Sequence, residues 1–252
     1  GKPAQKLRFF QHYVLHGLAF HVRNDSPIKK MGDLLGKHIA LKPKGFGSNP
    51  PALAILAEYG ITEESNKKAG GTISYLGTSD QARGLKDKTV DVVIGANVLF
   101  GRMAHLVEPD EAFGLRMLEP DPPVVKKIIE QNPDIAPGTI KAGIYKGNPK
   151  EYKTLGLMYC VYTSADLPAD LVYDVTRVLF DANFLKEQAS QFLEGMSGWC
   201  PENAMLGSLP EIVPIHPGVK KYADERGLKP RSEMIPPPEE VLNLNPETRA
   251  KK

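Results

Sequence analysis

The run His38-Ile39-Ala40-Leu41, followed by Gly45-Phe46-Gly47-Ser48-Asn49-Pro50-Pro51 and then Leu53, Ile55, Leu56 and Tyr59, decides the fold class. The first four residues are a short strand. The glycine-rich turn leads into a helix that tolerates proline in its first turn and meets its stop at Gly60. The same alternation continues outward. Leu18 to Val22 are apolar and β-compatible, Thr72 to Leu76 form the next strand, and Val90 to Ile94 a buried one. Between the last two, Thr78 or Ser79 caps a helix through Gln81, Ala82 and Leu85. Alternating β and α units of this length predict an α/β protein with a mostly parallel sheet and helices on both faces.

The second half is less regular. Asp121 and Pro122-Pro123 open a helix carrying Val124, Val125, Ile128 and Ile129, and Pro133 stops it. Thr154 to Thr163 read as a strand. Leu171, Val172, Val175, Val178 and Leu179 fall on one face of a helix opened by Pro168. From Leu228 to Lys252, with Pro236-Pro237-Pro238 and many charges, apolar periodicity is too weak for a core element.

Composition narrows the function classes. The 252 residues are 41% hydrophobic and 25% charged, and 32 Lys plus Arg against 30 Asp plus Glu give +2. A chain of this length buries roughly three quarters of its unfolded surface without disulfide support. The balance lacks the basic excess of a nucleic-acid binder, and no apolar run reaches the roughly 20 residues of a membrane span. Cys160 and Cys200 are too few and too widely spaced for a zinc ribbon or a redox CxxC, and nothing local requires that they pair; Cys160, within Leu157 to Tyr162, reads as a small hydrophobe. No basic stretch followed by an apolar one opens the chain, so no secretory leader is visible.

The strongest chemical feature is the turn Gly45 to Asn49 at a helix start, where backbone N–H groups and the helix dipole favour an anion. No Gly-Lys-Ser/Thr follows it, and no dinucleotide fingerprint is present. His12 and His16 share a strand face while His21 points oppositely, so they do not converge on a metal. His216 could serve as a base, but no nucleophile elbow accompanies it. The acidic residues sit in solvated helical contexts. Binding is expected rather than turnover.

Several segments in order resemble one family. They are Leu7-Arg8 through Tyr13 to His21-Val22-Arg23; Ile28 to Gly36-Lys37; Gly45 to Ser48; and Ile73 to Tyr75 with Asp80-Gln81-Ala82, Leu85-Lys86-Asp87 and Val90-Asp91. Later come Ala142-Gly143-Ile144-Tyr145, Ala165-Asp166-Leu167-Pro168, and Pro214-Ile215-His216-Pro217-Gly218 with Tyr222, Glu225 and Gly227. Across residues 7 to 228 the chain resembles the TAXI-type solute-binding proteins of tripartite (TRAP) transporters, which have the type II periplasmic-binding-protein fold. The family's opening glycine-rich stretch has no counterpart here, and its Gly-Ser-Gly-Thr turn reads Gly45-Phe46-Gly47-Ser48.

The resemblance implies two α/β lobes with a hinge and an inter-lobe cleft, the first lobe incomplete. Residues 24–145 would be the second lobe, 1–23 and 146–227 the hinge strands and partial first lobe, and 228–252 a Pro-rich tail. It implies an extracytoplasmic or periplasmic protein that captures a small organic anion or amino acid for TRAP membrane permease subunits. No cofactor, metal, catalytic residue or nucleic acid is expected; the incomplete first lobe is expected either to pair as a homodimer or to be covered by the Pro-rich tail from Leu228 onward. The candidate ligand-binding residues are Tyr13, Phe46, Gly47, Ser48, Asn49, Ser79, Asn97 and Tyr145, all at strand ends or turns; Ser79 reads equally as a helix cap, and Phe46 equally as a core residue beneath Leu53 or Phe100. Two alternatives use the same scaffold: a cytoplasmic effector-sensing domain, for which no helix-turn-helix is present, and an enzyme, for which no nucleophile is found.

Overall fold

Strand β2 (His38–Leu41) lies between two parallel neighbours, β3 (Thr72–Tyr75) and β4 (Val92–Val98). The computed structural model describes residues 6–99, 101–132, 134–181 and 213–228, without the side chains of residues 12–14. Contacts divide the chain into two compact units, residues 1–14 with 158–252, and residues 15–157. The chain passes between them inside β1 (Leu7–Arg23) and inside β7 (Tyr152–Ser164).

In the 15–157 unit the strand order is β3-β2-β4-β1-β7-β6, with β5 (Leu115–Met117) beside β1 and β6 (Ile135–Ile140) at the far side. Only β2, β3 and β4 run parallel; β1 pairs antiparallel with β4 and β5, and β6 antiparallel with β7. The sheet is therefore mixed and open, not mostly parallel. The crossover helices expected from the local pattern exist only around the parallel trio.

Period two sorts the side chains onto two faces. Leu18, Phe20, Ile39, Leu41, Val92 and Ile94 point to one, packed under α1 (Asn49–Glu58) and α5 (Pro122–Gln131). Ala19, Ala40 and Val93 point to the other, beneath Leu85 of α3 (Thr78–Lys86) and Leu106 of α4 (Ala104–Phe113). Each fully buried aliphatic side chain contributes about 1.5–3 kcal/mol, so both helical layers are firmly held. Short α2 (Glu63–Lys68) is capped by Thr62, whose side chain accepts from Ser65 N–H. Gly60 follows α1 at φ +72°, which suits the stop expected there. α3 is preceded by Gly77, so neither Thr78 nor Ser79 is its cap.

The other unit is described through the outer halves of β1 and β7, α6 (Ala169–Leu179) and α7 (Pro217–Glu225). Phe9 bridges Ile215: its N–H donates to Pro214 O at 2.8 Å, and its carbonyl accepts from His216 N–H at 2.9 Å. His216 then caps α7, its Nδ1 accepting from Gly218 N–H at 3.1 Å, so the imidazole ends as a helix cap and not as a base. α6 buries Ala169, Val172 and Thr176. Leu171, Val175 and Val178, expected inward by periodicity, are exposed. Cys160 packs at the edge of this core. Cys200 and the tail from residue 229 lie outside the described residues.

Gly218 explains part of the Ile-His-Pro-Gly motif. A β-carbon there would lie 2.3 Å from Ala169 O and 2.7 Å from Tyr173 N, where α7 crosses α6 backbone to backbone. Gly218→Ala is expected to lower unfolding free energy by about 1–3 kcal/mol, the usual cost of overpacking. Urea unfolding checks this, and an unchanged midpoint would contradict it.

Candidate functional site

Because β2, β3 and β4 are parallel, α1, α3 and α4 all begin at the carboxyl ends of the strands they follow. In open α/β sheets this edge is where ligands bind. Lys42, the residue after β2, continues the face of Ala40 and is 7% exposed. Its row of the sheet has been emptied to receive it. Gly95 sits two residues past the Ala40 partner Val93, and a β-carbon there would lie 2.8 Å from Lys42 Cε; across from Gly95 stands Ala19.

Lys42 touches the start of all three helices. Its Nζ donates to Gln81 Oε1 on α3 at 2.8 Å and lies 3.3 Å from His105 Nε2 on α4. Its carbonyl accepts from Asn49 Nδ2, at the start of α1, at 2.9 Å. No carboxylate among the described residues lies within ion-pair distance of it. Burial accordingly pushes its pKa from the usual 10.5 down to about 8.

His21 and His105 line a cavity of about 10 Å³ with Lys42 and Gln81. His105 also lines a larger groove of about 350 Å³ between α3 and α4, with Ser79, Ala82 and Pro109. Burial, reinforced by the His105 and Lys42 charges, holds His21 down at about 3. Burial and then Lys42 hold His105 at about 4.

The sequence candidates fall into distinct groups. Asn97 and Tyr145 come together, Tyr145 O–H donating to Asn97 Oδ1 at 2.6 Å and accepting from Met103 N–H at 3.1 Å. The Tyr145 ring stands edge-on to His21, with centroids 4.9 Å apart. Asn97 uses its Nδ2 on Val98 O and Gly101 O, so the pair braces the wall behind His21. Ser79 is exposed and lines the groove. Ser48 and Asn49 are buried, and Asn49 Oδ1 has no partner. Phe46 is 51% exposed, so it is not a core residue beneath Leu53 or Phe100. Tyr13 lies on β1 in the other unit, its side chain outside the described residues.

The glycine turn itself is a poorer anion site than its composition suggests. Asn49 N–H is taken by Phe46 O at 3.0 Å, and Pro50 and Pro51 have no N–H to offer. Sequence reading also missed Asp110, which is buried: it accepts from Leu115 and Lys146 N–H and pairs with Arg102 at 3.2 Å, a structural anchor for α4. The main omission is Lys42 with His21, Gln81 and His105. Two signals were present, the parity His38-Ala40-Lys42 and a glycine inside β4.

The family model described as NMT1-like matches residues 1–227. The chain belongs to the NMT1-like family. Solved structures similar to this member include XAC2383 from Xanthomonas citri bound to ATP, 15% identical over 87% of this chain and 69% of that one, with a TM-score of 0.45. The arginine-, lysine-, histidine-binding protein ArtJ from Geobacillus stearothermophilus is 16% identical over 77% and 68%, at 0.43. The periplasmic aliphatic sulphonate binding protein SsuA from Escherichia coli is 14% identical over 92% and 72%, at 0.44. At this level of likeness nothing about this chain's ligand follows from theirs.

The histidines make stability depend on acid. His16 is also held down, at about 4, by burial. In the unfolded chain these rings take a proton near 6.5. Between that value and about 4 the unfolded chain binds more protons, so stability falls as pH falls. The expected loss is about 1.4 kcal/mol per pH unit for fully buried His21, and less for the partly exposed His16 and His105. Urea unfolding at several pH values between about 7 and 5 checks this; a flat or rising profile would contradict it.

Proposed function

We propose that this chain is an extracytoplasmic solute-binding protein that captures a small organic anion or amino acid for a TRAP-type membrane permease, as the TAXI-type proteins it resembles do. The observation that carries the reading is the buried Lys42 ammonium, set at the carboxyl edge of a parallel trio between the starts of α3 and α4, with no carboxylate among the described residues within ion-pair distance. Each helix start carries partial positive charge. Such an edge attracts an anion, and the adjoining groove has the volume of a small-molecule site.

In this proposal residues 24–145 act as one lobe, with 1–23 and 146–227 as the hinge strands and the other lobe. Phe46, Gly47, Ser48, Asn49 and Ser79 border the ligand, Asn97 and Tyr145 stiffen the site, and Tyr13 is a further candidate ligand contact. Ligand contacts made only in a closed state would drive closure. In this reading the site acts by reversible binding, its assembled groups holding a charge in place for the ligand.

A thermal-shift screen of carboxylates, sulfonates and amino acids tests the proposal. A true ligand at about 100 times its Kd is expected to stabilise the fold by about 2.7 kcal/mol and to be recovered unchanged. Conversion of the ligand into a product, or no stabilisation by any member of these classes, would contradict it.

A further inference from the structure

A lysine ammonium has three N–H donors. One of Lys42's goes to Gln81 Oε1 and one faces His105 Nε2. Among the described residues the third has no acceptor. The cavity at this point, about 10 Å³, holds one oxygen-sized atom. His21 lines it too, 3% exposed, and its Nε2 is buried with no partner. Two polar side chains, each more than nine-tenths buried, thus meet at a space that neither fills.

We infer that this cavity is the subsite for the acid group of the solute: one oxygen of a carboxylate, sulfonate or phosphate enters it and accepts from Lys42 Nζ beside His21. The inference rests on the solute-binding reading and makes it specific. The remainder of the solute lies in the groove that His105 shares with the cavity. An anion here supplies the counter-charge that no described residue provides, and so offsets the cost of a buried ammonium. Gln81 and His105 act as positioning residues, because they orient the ammonium and leave one donor for the ligand. Gly95 serves the same arrangement, since a β-carbon there would push on Lys42 Cε, 2.8 Å away, and move the ammonium.

The test uses acetate, methanesulfonate and inorganic phosphate as probes, against sodium chloride at matched ionic strength. The full chain is compared with Lys42→Met, which keeps the stem against Gly95 and removes the charge. Stabilisation of the wild type by at least one probe, weakened about 10- to 100-fold in Lys42→Met, is the expected result, the size of a hydrogen bond to a charged group. The three probes separate carboxylate, sulfonate and phosphate ligands. Equal response of both proteins, or none by the wild type, would overturn the inference and assign the cavity to an ordered water. A larger solute from the screen that binds both proteins equally would leave the solute-binding reading standing and remove Lys42 from it. Should Lys42→Met fail to fold, wild-type crystals grown with selenate decide: anomalous density within hydrogen-bond reach of Nζ supports the subsite, and its absence overturns it.

Discussion

A buried ammonium with no carboxylate among the described residues within ion-pair distance is the constraint around which the carboxyl edge of this sheet is organised. Moving a charge out of water is costly unless other groups replace the lost solvation. Lys42 recovers part of it from Gln81 and His105. Its carbonyl, through Asn49, ties α1 to the same point. The residue therefore links the first turns of three helices, and a shift of any of them would alter where its charge points.

The rest of the unit serves that placement. Parallel pairing of β2 with β3 and β4 brings three helix starts to one edge, and antiparallel β1 carries His21 and Ala19 onto the face beneath α3 and α4. Behind His21, the Asn97–Tyr145 hydrogen bond and the Tyr145 ring fill the wall. Asp110 fixes the far end of α4 by accepting from Leu115 and Lys146. Rigid support of this kind keeps a charged group in one rotamer and lowers the reorganisation cost of binding.

Local pattern was enough for β2, its turn and α1, because strand period, prolines and the following glycine all act within a few residues. It was not enough for the other strands. β1 spans 17 residues, but its two halves belong to different compact units, so no single apolar period runs through it. β5 and β6 are short or contain Pro137-Gly138, and their pairing comes from partners distant in sequence. On α6 Ala169, Val172 and Thr176 face inward while Leu171, Val175 and Val178 face outward, a choice of face set by the close crossing of α7 at Gly218 that the local apolar pattern does not contain. Asn97 and Tyr145 can each be read from the sequence as candidates, but their meeting is a tertiary fact. Lys42 escaped because lysine is ordinarily solvated; its burial depends on the glycine at position 95 of another strand.

The most direct measurement is the titration of Lys42 in the ligand-free wild-type chain, followed through its side-chain carbon resonance in lysine-labelled protein. A midpoint near 8, held down by burial, is the predicted result. A midpoint near the ordinary 10.5 would mean that the ammonium is solvated or paired, and would contradict the organisation described for this edge.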